Sequence, residues 1–156
     1  MKQILCVVLS CVVYMQVNAQ RSADKNTDYQ TAAGIKFWDG GGLTAKHFFT
    51  QKSAGELVVL FWSNGLRVTG LYELHQGITN VKGLKWYVGG GAHIGFYKAL
   101  YGNGSFAGID GVTGLDYKLS QAPVNFSLDW QPAFEFGDGR GFYGGWGGLA
   151  VRYTFR

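Results

Sequence analysis

Three histidines, His47, His75 and His93, are the side chains of this 156-residue sequence best suited to proton transfer or metal ligation. No two of them have the spacing of a metal-binding helix such as His-Glu-x-x-His, so a site would need strands to gather distant residues. Nucleophilic chemistry needs a hydroxyl or thiol beside a base. A serine two residues after a histidine would put both on one face of a strand. The residues at that offset are Phe49, Gly77 and Gly95, so no such pair exists. A base from another strand, such as His93 near Ser127, stays open. Gly139-x-Gly141-x-x-Gly144 has dinucleotide-binding spacing, but it enters a strand pattern, and without a helix N-terminus there is no phosphate cradle. Asn125-Phe126-Ser127 matches a glycosylation acceptor by chance, in mid-strand. No catalytic residue, cofactor site or metal site is predicted.

The elements that would position these residues begin after an export signal. Met1-Lys2 is a short basic start, Ile4 to Met15 is apolar apart from Ser10, and Val17-Asn18-Ala19 puts small residues at a cleavage position. The run is too short for a spanning helix, which needs roughly 20 apolar residues. Cleavage would leave Gln20 first and remove both cysteines, Cys6 and Cys11, so the mature chain has no thiol chemistry. Val8-Leu9-Ser10-Cys11 faintly suggests acylation, but the apolar run continues beyond it. The predicted organisation is a signal peptide over 1–19, a polar leader over 20–28 and one domain over 29–156.

Composition narrows that domain. The chain holds 25 Gly and only 2 Pro, with 16% aromatic and 15% charged residues. Soluble domains average about 25% charged residues and 7% Gly. Aromatic richness excludes disorder. The net charge of +4 is scattered along the chain, which gives no nucleic-acid interface.

Instead of a helical period, segments of roughly ten residues alternate between apolar and polar, the pattern of a transmembrane barrel. Eight are delimited: Tyr29–Trp38, Leu43–Thr50, Glu56–Ser63, Leu66–His75, Leu84–Tyr97, Phe106–Leu119, Pro123–Phe136 and Phe142–Phe155. Turn residues separate them, most clearly Asn64-Gly65. In the seventh, Val124, Phe126, Leu128 and Trp130 oppose Asn125, Ser127, Asp129 and Gln131. In the eighth, Leu149, Val151, Tyr153 and Phe155 oppose Ala150, Arg152 and Thr154. The third, around Leu57–Trp62, is apolar on both faces and its register is ambiguous. Trp38, Trp62, Tyr97, Tyr117, Trp130 and Tyr143 lie near segment ends, as interfacial girdles would.

The expected fold is all-β, a closed antiparallel barrel of about eight strands. An interior that narrow is filled by side chains. Its inner face would carry Lys36, Lys46, Arg67, Lys85 and Arg152 against Glu73, Asp110, Asp116 and Asp129. Buried charges need partners. A lumen network of Arg67, Glu73, Lys85, Asp110, Asp129 and Arg152 is therefore predicted; the alternative is that several of these stand at the rims, solvated. Tyr87 is expected to fill space left by glycines.

Thr69-Gly70-Leu71-Tyr72-Glu73, Gly91-Ala92-His93-Ile94-Gly95-Phe96-Tyr97, Gly108-Ile109-Asp110-Gly111 and Leu128-Asp129-Trp130-Gln131-Pro132 resemble uncharacterised barrels of bacteroidete-type genomes. Nearly the whole mature chain resembles the small OmpA/OmpX-type outer-membrane barrels. That resemblance implies residence in the bacterial outer membrane, contact with its lipid and a non-enzymatic role in envelope structure or surface interaction. Tyr153-Thr154-Phe155-Arg156 resembles the last strand read by the outer-membrane assembly machinery, although such signals usually finish on the aromatic itself. Two other readings remain. One is a lipid-modifying barrel enzyme, although the His-x-Ser pair of lipid A deacylases is missing. The other is a soluble β-barrel that binds an apolar ligand.

Overall fold

A computed structural model describes residues 29–79, 81–97, 104–136 and 141–155. The export signal, its cleavage site, the leader and Arg156 lie outside the described residues, as do Asn80, 98–103 and 137–140. The strands are β1 (Thr31–Phe37), β2 (Gly41–Phe48), β3 (Ser53–Trp62), β4 (Gly65–Gly77), β5 (Leu84–Tyr97), β6 (Ser105–Lys118), β7 (Val124–Trp130), β8 (Ala133–Phe136), β9 (Phe142–Tyr143) and β10 (Gly147–Phe155). Each of the first six pairs antiparallel with the next. β10 then pairs with β7 on one side and β1 on the other, with Ile35 opposite Val151, and this closes the sheet. Closure leaves no free edge along that seam, where an open sheet would expose unpaired amides.

β7 with β8, and β9 with β10, each make one wall strand with a break, so the ten segments form an eight-stranded barrel. The first break is at Gln131-Pro132, where proline has no N–H to give the ladder. The wall stays sealed there: Gly111 N–H donates to the Pro132 carbonyl at 2.8 Å, and Gln131 N–H to that of Trp146 at 2.8 Å. The second lies over 144–146, where the Trp130 indole donates to the Gly144 carbonyl at 2.7 Å and that of Trp38 to Gly145.

Alternation sorts the side chains as strand geometry requires. Leu43, Leu57, Ile94, Ile109, Leu128 and Leu149 are exposed on the exterior, whereas their neighbours Thr44, Glu56, His93, Asp110, Asp129 and Ala150 are buried inside. β3 takes the register that sequence left open: Glu56, Val58 and Leu60 point in. The expected girdles need one correction. Trp38, Tyr117, Trp130 and Tyr143 are exposed outside. Trp62 and Tyr97 instead share the parity of Leu60 and His93, and pack with Phe106 at the mouth of the lumen.

Both described chain ends, Tyr29 and Phe155, lie at one rim, here the terminal rim, with the turns 49–52, 78–83 and 119–123. The turns 38–40 and 63–64 lie at the other.

Candidate functional site

The lumen holds the titratable side chains. β1, β2, β3, β4, β6, β7 and β10 each project at least one charge toward the axis, and these meet in a single cluster. Lys36 Nζ lies 2.8 Å from Asp129 and 3.9 Å from Glu56. Lys46 Nζ lies 2.7 Å from Glu73, 3.1 Å from Glu56 and 3.6 Å from Asp116. Arg152 Nη2 lies 2.5 Å from Glu56, and its Nη1 donates to Ser127 at 2.8 Å and Asn125 at 3.2 Å.

Three cations here face four carboxylates, and neutral donors make up the difference. Thr44 donates to Glu56 at 2.7 Å and Tyr87 to Asp129 at 2.8 Å. Asn125 donates to Asp116 at 2.8 Å, and the Tyr29 hydroxyl lies 3.1 Å from both Asp116 oxygens. His75 Nε2 is 2.8 Å from Glu73. Charges removed from water at this depth persist when each is paired and hydrogen-bonded.

A second cluster lies nearer the far rim. Arg67 pairs with Asp110 and stacks its guanidinium 4.2 Å from the Trp146 ring centroid. Asp110 also accepts from Gln131 at 3.0 Å and lies 2.7 Å from His93 Nδ1. Arg67 Nη2 also approaches that nitrogen, at 3.0 Å. Glu135 is 3.8 Å from His93 Nε2.

Aromatic rings crowd both ends. Tyr29 meets Phe48 edge-on at 5.1 Å, Phe48 meets His75 at 4.8 Å, and His75 stacks on Tyr87 at 4.8 Å. At the far rim Trp62 contacts Tyr97, Phe106 and Trp146 at 6.2, 6.1 and 6.0 Å. Glycines make room for these rings. A Cβ on Gly95 would land in the Phe106 ring, and one on Gly114 would sit 2.8 Å from Cζ of Tyr87.

Of the six residues singled out from sequence, Arg67 and Asp110 join each other. Glu73, Asp129 and Arg152 join the larger cluster through Lys46, Lys36 and Glu56. Lys85 stands half-buried near the terminal rim, its ammonium 5.1 Å from the Phe48 ring centroid. Sequence reasoning missed Glu56, which touches three cations. The signal was present: a lone charge in an apolar segment must take the inner face. Tyr29 was also missed, because it sits at the junction with a polar leader.

The geometry separates His93 from Ser127: the first belongs to the Arg67 cluster, and the hydroxyl of the second accepts from Arg152. Among the described residues no group of three or more His, Cys, Asp or Glu is arranged to hold a metal ion.

Neither a family model nor a curated protein matches this chain. In structure it is similar to the N-terminal β-barrel domain of Pseudomonas aeruginosa OprF. The TM-score is 0.61 at 18% identity, over 80% of this chain and 95% of that one. The fold is the eight-stranded OmpA-type barrel. At that identity the likeness concerns the backbone. The ion pairs described above belong to this chain's own side chains.

Proposed function

We propose that this chain is a non-enzymatic protein of the bacterial outer membrane, exported by a cleaved signal peptide, whose sealed barrel serves envelope structure. The observation that carries the reading is the inversion of polarity: apolar and aromatic side chains cover the outside, while the charges are buried within. A soluble barrel would be dissolved by its surface, and this surface offers water Leu128 at 55% exposure and Phe142 at 69%. Lipid is the solvent such an exterior suits, because a closed ladder pairs its backbone amides within the wall. The aromatics near both rims fit the two interfaces. Both chain ends and the short turns beside them then face the periplasm, and lipid and the assembly machinery acting on the last strand are the expected partners.

Cell fractionation tests the reading. The protein should stay with the outer membrane through carbonate and salt washes, run at a heat-dependent gel position, and have an intact mass starting at Gln20. Release by carbonate in a folded state would overturn the membrane assignment. Altered lipid A in a strain lacking the gene would overturn the non-enzymatic one.

A further inference from the structure

The turn 78–83 is the longest at the terminal rim, where short turns are the rule for such barrels. It is tied down at several points. Ile78 N–H donates to the Leu84 carbonyl at 3.0 Å, Val81 N–H to Ile78 at 3.2 Å, and Lys118 N–H to Gly83 at 2.9 Å. Gly83 sits at φ 84°, a left-handed conformation that side chains disfavour. The turn nevertheless presents Ile78 and Val81 as exposed apolar residues, followed by exposed Lys82.

Val81 helps to line a shallow groove of about 370 Å³ in the outer wall. Its lining includes Leu84, Leu115, Tyr117, Leu128 and Leu149, and is almost wholly apolar. Its floor is a cross-strand row, because Leu115 faces Leu128 across β6–β7 and Leu128 faces Leu149 across β7–β10. The described turns at the terminal rim carry charge of one sign only. The turns 49–52, 78–83 and 119–123 contain Lys52 and Lys82 and no Asp or Glu.

We propose that this groove is a lipid site: it holds one acyl chain of an anionic glycerophospholipid in the periplasm-facing leaflet, with Lys82 pairing the headgroup phosphate. A hydrocarbon chain matches a lining with no hydrogen-bonding demand, and the lysine beside Val81 supplies the complement to an anionic head. A turn of this length has a use here, since a two-residue hairpin would not bring Val81 over the wall. The proposal rests on the membrane reading above and on the terminal rim facing the periplasm.

The test is native mass spectrometry of the full mature barrel in detergent with equimolar phosphatidylglycerol and phosphatidylcholine. One phosphatidylglycerol should be retained in preference. Lys82→Glu should lower retention on the order of fivefold or more, as expected for one lysine at an anionic lipid surface. Leu149→Trp, which fills the groove, should abolish it, while Lys52→Glu on the opposite wall should leave it unchanged. Equal retention of both lipids overturns the proposal, as does equal sensitivity at Lys52 and Lys82, or a second protein copy or a lipopolysaccharide held instead. Heat-modifiability of each variant establishes that it folds. A folded, membrane-embedded barrel without the preference sinks the groove alone, whereas a protein released by carbonate sinks the reading beneath it.

Discussion

Glu56 shows how much depends on single side chains in this barrel. It accepts from Thr44 and lies within ion-pair distance of Lys36, Lys46 and Arg152. Such a group holds three strands in fixed register with β3. Removing one partner leaves its charges buried and under-paired, which costs about 3–5 kcal/mol when the site stays dry. Arg152→Ala should therefore destabilise the folded barrel by that amount, as read by urea unfolding in lipid vesicles. A loss below about 1 kcal/mol, typical of a solvated surface pair, would mean that water fills the lumen.

At the scale of the element, alternation makes each strand a boundary between two solvents. Leu128 and Asp129 are neighbours in β7, yet the first is exposed outside and the second buried inside. Arginine at a mid-depth exterior position costs about 2–4 kcal/mol in a bilayer. Leu128→Arg should thus lower folded yield in vesicles far more than Thr154→Ala, whose side chain is buried on the inner face of β10. Equal yields would show that the exterior does not face hydrocarbon. The same parity explains why Trp62 and Tyr97 left the girdle: being near a strand end does not decide which face a ring takes.

For the whole molecule, the consequence of eight strands is a narrow lumen that side chains occupy. The larger ion cluster crosses the bore, and rings crowd both ends. A water path would require breaking several pairs in a low-dielectric interior, each left with an uncompensated charge. Refolded protein in planar bilayers should therefore stay silent. Long-lived stepwise conductance in the porin range would refute the sealed lumen and point to a wider, oligomeric assembly.

The sequence by itself determined the architecture, because a period of two with polar residues on one face admits few folds once the segments number eight. Boundaries fell within a few residues for the same reason: Gly and Asn mark the turns chemically, and the ladder must end there. It also determined which face each charge takes in β4, β7 and β10, where the alternation is strict. Only the tertiary structure decided who pairs with whom. Partners such as Lys36 and Asp129 are 93 residues apart and meet because closure sets β10 between β1 and β7, so that inward side chains of those two strands reach one another past a single intervening strand. The register of β3, apolar on both faces, was settled by the same closure, since its one carboxylate could find cations only by pointing inward.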